Sequence, residues 1–120
     1  MILYHVDGIV SSMKYWIFLF LAIFGEILGT SSLKLSQGFT NQIYIIGVAL
    51  GYTAAFIFLG FAFKEIPMGI GYAIWSGIGT IGAILFGTLK LGERLNLAEW
   101  IGIALILTGT VIIKIYHQIN

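Results

Sequence analysis

Residues 43–63, and again residues 68–89, contain no Asp, Glu, Lys or Arg. Each run is about 20 residues long, which at helical rise matches a hydrocarbon core of roughly 30 Å. Two further runs resemble them. Residues 15–33 are interrupted only by Glu26, and residues 97–116 hold Glu99 near the start and Lys114 near the end. Backbone groups in lipid must be satisfied within the segment, so helices are the economical solution. Buried helices of a soluble protein would need polar faces, and the second and third runs have none. The expectation is an all-α membrane protein with four transmembrane helices, about 15–33, 43–63, 68–89 and 97–116, in a single domain covering 13–120.

Composition agrees. The chain is 59% hydrophobic and 9% charged, with six basic and five acidic residues. A soluble domain carries about a quarter charged residues, so eleven charges are too few to cover a water-facing surface. A net charge of +1 with no basic run gives no reason to expect a nucleic-acid partner. The absence of Cys removes thiolate and disulfide chemistry, no metal-ligand cluster is seen, and the loops are too short to hold a catalytic domain. An enzyme is not expected, nor is a cofactor.

The joints carry their own signals. Gln37-Gly38-Phe39-Thr40-Asn41 reads as a turn. Pro67, the only proline, suits the first turn of the third helix. Asn96 is a candidate N-cap with Glu99 three residues on, the spacing of a capping box. Lys114 is placed in the last turn of the fourth helix, where it favours the dipole. Residues 1–12 are read as a mobile extension outside the membrane, ahead of Met13-Lys14. The first helix lacks the cleavage pattern of a signal peptide and is too long for one.

Orientation follows the Lys and Arg bias between loops. One side carries Lys14, Lys64 and Lys114, and the other carries Lys34, Lys90 and Arg94. A balanced chain suits insertion both ways and pairing as an antiparallel dimer, supplying the inverted symmetry that one transporter chain lacks. Six charges are also a small sample that balances by chance.

Glu26 is the outlier. It is the twelfth residue of the first run, near mid-bilayer, where a charge costs about 2.5–3.5 kcal/mol on insertion scales, and no Lys or Arg in that run pairs with it. Desolvation penalises the charged form of a carboxyl. A carboxyl that gains and loses a proton holds either the proton or a cation, and that competition couples two opposing flows. The structural alternative is a protonated Glu acting as interhelical hydrogen-bond glue. Helical spacing places Leu19, Ala22, Ile23, Gly29, Thr30 and Leu33 on its face. Gly25 and Gly29 leave either volume beside the carboxyl or close helix contact.

Tyr52, Tyr72 and Trp75 lie deeper than the interfacial belt that explains Tyr15, Trp16, Tyr44, Trp100 and Tyr116. Deep rings pack or contact ligand; beside a lone carboxylate they suit a flat, greasy cation. Gly77 and Gly79 permit bending of the third helix. Gly102 and Gly109, seven apart, form a small-residue stripe for helix pairing in the fourth.

Gly25-Glu26-Ile27-Leu28-Gly29-Thr30, Lys34-Leu35-Ser36-Gln37-Gly38-Phe39-Thr40 and Ile66-Pro67-Met68-Gly69-Ile70-Gly71-Tyr72-Ala73-Ile74-Trp75-Ser76-Gly77-Ile78-Gly79 resemble the small multidrug resistance family, in order and without gaps. The resemblance implies an antiparallel, dual-topology homodimer in a prokaryotic cell (inner) membrane that exchanges protons for lipophilic cations by alternating access. It implies that Glu26 of both subunits forms the shared site, with Tyr52, Tyr72 and Trp75 as substrate contacts and Thr30 as the hydroxyl one turn after Glu26. Leu19, Ala22 and Gly29 join the substrate site by their shared face. Gly77 and Gly79 resemble the kink of helix three, and Gly102 and Gly109 the dimer contact. The expected partners are organic cations, protons, membrane lipid and a second copy of the chain.

Guanidinium exporters of the family place a Trp three residues after the Glu. Gly29 stands there, favouring the multidrug branch with quaternary ammonium substrates. Against this, Gly71 replaces a common Ala. The alternatives are a guanidinium or polyamine exporter and, in another class, a non-transporting membrane subunit or assembly factor.

Overall fold

A computed structural model describes the backbone of residues 2–119 and the side chains of residues 13–116. It contains four helices and, among the described residues, no strand: α1 (Ile2–Leu35), α2 (Gln42–Ala62), α3 (Met68–Lys90) and α4 (Leu97–Ile119). Each contains a stretch long and apolar enough to cross a membrane: Met13–Leu35, Gln42–Ala62, Met68–Lys90 and Leu97–Tyr116. The protein is a multi-pass membrane protein. The helices match the expected segments to within one or two residues at most ends. The two exceptions are the start of α1, which runs helical from Ile2, and the end of α4, which continues to Ile119. The apolar pattern marks where lipid begins. It does not mark where a helix must stop, because hydrogen bonds propagate through polar residues as well.

The turns obey local chemistry. Ser36 is fully buried, and its hydroxyl donates to the Leu33 carbonyl at 2.7 Å while accepting from the Phe39 amide at 3.1 Å. Gln37, Gly38 and Phe39 all take positive φ, at 49°, 71° and 66°. The left-handed path is cheap only at the glycine. Asn41 caps α2 by accepting from the Ile43 amide. The expected capping box is present: the Asn96 amide donates to Glu99 Oε2 at 2.8 Å and the Glu99 amide to Asn96 Oδ1 at 2.9 Å. Two expectations need adjusting. Pro67 sits at the N-cap of α3, just ahead of the first turn. Lys114 lies before the last turn of α4, and its ammonium rests 4.0 Å above the Trp16 ring instead of over the terminal carbonyls.

α1 is the hub. It packs along α2 for most of its span and against α3 more lightly, while α4 packs on α3. Glycine sets how closely α1 and α2 approach. A Cβ on Gly51 would sit 2.6 Å from the Gly29 amide nitrogen and 2.8 Å from the Gly25 carbonyl oxygen. Both are backbone atoms that cannot step aside. Small residues at a membrane helix interface permit this approach and the dispersion contacts that come with it. Trp16, Leu19, Ala22, Ile23, Leu59, Ala62, Ile66 and Ile74 form the buried core. Many remaining large apolar residues face outward, as lipid allows.

Candidate functional site

Glu26 projects from α1 toward α3, and its two oxygens have different surroundings. Thr30, one turn on, donates to Glu26 Oε1 at 2.8 Å. The Thr30 oxygen also lies 2.7 Å from the Tyr52 hydroxyl of α2. A threonine hydroxyl has one proton. Since Thr30 gives it to Glu26, Tyr52 is the donor in the second bond, and the order is Tyr52 to Thr30 to Glu26. Oε1 is therefore held as an acceptor.

Oε2 is buried and has no hydrogen-bond partner among the described residues. It lies against Gly79, where an added Cβ would come within 2.8 Å. An unsatisfied buried polar atom costs about 1–3 kcal/mol, so a group that completes it is favoured. The same holds for Trp75 Nε1, also buried without a partner.

Both residues line a cavity of about 390 Å³ against the face of α3, within the size range of small-molecule sites. Ser76, Gly79, Thr80, Ala83 and Ile84 form its wall, and Glu93 of the α3–α4 loop, a second carboxylate, also lines it. The Ser76 hydroxyl donates to the Tyr72 carbonyl at 2.9 Å and that of Thr80 to the Ser76 carbonyl at 2.6 Å. Their protons are committed to the helix, so they present oxygen lone pairs to the cavity.

The expected aromatic residues divide. The Tyr72 and Trp75 rings meet edge to face at 5.2 Å, with Tyr72 half exposed on the outer side. Tyr52 stands on α2 and reaches the carboxylate only through Thr30. Its ring covers Gly29, where a Cβ would come within 3.1 Å of the ring carbons. Of the two readings of Gly25 and Gly29, the structure selects close contact. The free space beside the carboxylate lies on the α3 side.

Leu19 and Ala22 share the Glu26 face in sequence, yet both are fully buried in the core. Neither lines the cavity. The face that α1 turns toward its neighbours is wider than the cavity, and core packing takes the turn before the carboxylate. α3 runs unbroken through Gly77 and Gly79. Both are close approaches, Gly77 to the Thr110 hydroxyl of α4 and Gly79 to Glu26. Gly102 and Gly109 have no described atom within 4 Å of an added Cβ, and Gly109 borders a groove between α4 and α3.

Sequence reasoning missed Ser76, Thr80, Ala83, Ile84 and Glu93. For the first three the signal was available: Tyr72, Trp75, Ser76, Gly79, Thr80 and Ala83 follow the i, i+3, i+4, i+7 pattern of one helix face. Glu93 had no such signal, because its place depends on how the loop folds back. Its carboxylate packs in the space a side chain on Gly87 would take.

Residues 14–106 match the profile of the family described as Small Multidrug Resistance protein. A quaternary ammonium compound-resistance protein of Klebsiella aerogenes, QacF, is 40% identical over 108 residues, covering 90% of this chain and 98% of its own. The corresponding protein QacE of Escherichia coli is 41% identical over 106 residues, covering 88% and 96%. The multidrug resistance protein EbrB of Bacillus subtilis is 41% identical over 102 residues, covering 85% and 87%.

Proposed function

Because the chain belongs to the small multidrug resistance family, we propose that it is a proton-coupled antiporter that exports lipophilic aromatic or quaternary ammonium cations across a prokaryotic inner membrane. The observation that carries this reading is the asymmetry of Glu26. Thr30 fixes one oxygen as an acceptor, and the other faces a cavity with no described partner. Oε2 takes a proton, or stays charged beside a cation; it does not do both. A proton arriving from one side expels the cation, and a cation arriving from the other expels the proton.

The rings set the cargo. Trp75 lines the cavity with the carboxylate, backed edge to face by Tyr72, and a desolvated cation over an aromatic face gains about 2 kcal/mol. The wall between them is apolar or presents hydroxyl oxygens, which suits a bulky cation without donors. The printed names of the relatives point to the same cargo: quaternary ammonium compounds for QacF and QacE.

One copy holds one membrane-embedded carboxylate, Glu26, and an α4 with little buried surface, so the working unit is an antiparallel homodimer that alternates access around two Glu26 residues. The even division of Lys and Arg between the two sides supports insertion in both orientations. Bending of α3 at Gly77 and Gly79 is the motion assigned to alternation. Both sites are tight contacts that would open as the helix moves.

Glu26→Gln is the test. The variant is expected to insert and dimerise but to lose uptake of tetraphenylphosphonium into vesicles driven by an imposed pH gradient. Undiminished uptake would sink the proposal and favour a structural role for Glu26. Binding of guanidinium tighter than tetraphenylphosphonium would move the protein to the guanidinium branch. A C-terminal tag is expected to be labelled from both membrane faces, and one-sided labelling would refute dual topology.

A further inference from the structure

A smaller cavity lies away from Glu26, at the membrane end where the span of α1 begins and α2 finishes. Its volume is about 160 Å³, and Lys14, Tyr15, Phe18, Phe61 and Lys64 line it. That is below the range of drug-sized sites and suits a headgroup fragment.

The rings form a floor that spans two helices. Phe18 of α1 meets Phe61 at 5.5 Å and stacks on Phe58 at 6.1 Å, while Tyr15 meets Phe18 edge to face at 6.3 Å. Each lysine lies over this floor. The Lys64 ammonium is 5.5 Å from the Phe61 centroid. The Lys14 ammonium is 5.9 Å from the Tyr15 centroid and 6.0 Å from that of Phe18. Two like charges thus face one small cavity, and neither lysine has an ion pair among the described residues. Glu65, the only described carboxylate at this end, is exposed.

We infer that this cavity binds the phosphodiester headgroup of an anionic lipid, clamped between the Lys14 and Lys64 ammoniums above the Tyr15–Phe18–Phe61 floor. An anion removes the repulsion between the lysines without disturbing the rings. Depth selects a lipid over a free phosphate: Lys14 is the second residue of the α1 span and Lys64 lies two residues beyond that of α2. This is headgroup level, where basic pockets between helices meet anionic lipids. Met13, Ile17 and Phe61 are exposed at this end of α1 and α2 and offer apolar surface for acyl chains. The site is independent of Glu26 and of the transport reading.

The test uses the full chain purified in detergent. Phosphatidylglycerol and phosphatidylcholine are titrated separately, and bound lipid is counted by native mass spectrometry. Phosphatidylglycerol is expected to bind more tightly. Lys14→Gln and Lys64→Gln are each expected to weaken it about fivefold, and the Lys14→Arg/Lys64→Arg pair is expected to retain it. Lys34→Gln/Lys90→Gln, which removes the same charge at the other end, should leave it unchanged. Equal loss in that control pair, or no loss in the Lys14 and Lys64 variants, overturns the site. So does tighter binding of phosphatidylcholine. Displacement of the lipid by millimolar inorganic phosphate overturns the lipid assignment in favour of a free-anion site. Should a Gln variant fail to fold, loss of the lipid by the folded Arg pair would count against the site, and its retention would support it.

Discussion

α1, α2 and α3 form one packed body, whereas α4 leans on its outside. A third of the α1 span is buried within the chain, against 6% of the α4 span. The same residue type does opposite things in the two regions. Gly51 lies between backbone atoms of α1, while a Cβ added at Gly102 or Gly109 would meet no described atom within 4 Å. One glycine stripe is already used within the chain; the other is unused. The three-helix body holds the Glu26 cavity, while α4 keeps most of its surface outside the packed core.

The sharpest way to break this comparison is to add side chains to both stripes. Gly51→Leu must push α1 and α2 apart, and overpacking costs about 1–3 kcal/mol or more. It is expected to lower the unfolding midpoint of the protein in detergent and its yield from membranes. Gly102→Leu, where an added Cβ meets nothing within 4 Å, is expected to leave the midpoint of the single chain unchanged and to abolish the dimer in crosslinking and light scattering. Equal destabilisation by both would mean that α4 is packed within the chain after all.

A smaller effect is expected inside the site. Trp75→Ala removes a ring that lines the cavity, whereas Tyr72→Ala removes one that is half exposed behind it. Trp75→Ala should weaken tetraphenylphosphonium binding about tenfold or more, the equivalent of a desolvated cation–π contact. Tyr72→Ala should cost less, because in the single chain its ring acts mainly by holding Trp75 edge to face. A larger loss at Tyr72 would place the cargo on the exposed side of that ring.

Thr30→Val is the next step down. It removes the donor to Glu26 Oε1 and leaves the Tyr52 hydroxyl without its acceptor. A hydrogen bond to a charged group contributes about 1.5–3 kcal/mol, partly recovered as Tyr52 reorients. A several-fold change in tetraphenylphosphonium affinity is expected, because the Glu26 oxygen that accepted from Thr30 loses its donor.

Residues read in sequence differ in what they needed from the fold. Glu26 was legible because a charge in an apolar run is costly wherever the helices go. The Asn96–Glu99 box was legible because it closes within three residues. The approach of α1 to α2 was half legible: Gly25 and Gly29 marked one wall, but Gly51 opposite them stands in a helix that is apolar all round and gives no facing direction. Leu19 and Ala22 were assigned to the cavity on spacing alone, and spacing identifies a face without saying which neighbour covers it. Glu93 was hidden because its position follows from the α3–α4 loop, where no periodicity operates.

The smallest expected effect tests how loosely α4 is held. Lys114 places its ammonium 4.0 Å from the Trp16 centroid, reaching from α4 to α1, while most of α4 touches only α3. A cation–π contact contributes about 0.5–1 kcal/mol where water reaches it. Lys114→Gln removes the charge but keeps much of the stem, so the unfolding midpoint should fall only slightly and dimerisation should persist. If α4 must shift against α3 while alternating, a weak tie at its end is preferable to a packed seam. The variant is then expected to transport at close to the native rate. A large loss of stability in Lys114→Gln would mean that this contact anchors α4 to the three-helix body, and the division into a packed core and an open helix would no longer hold.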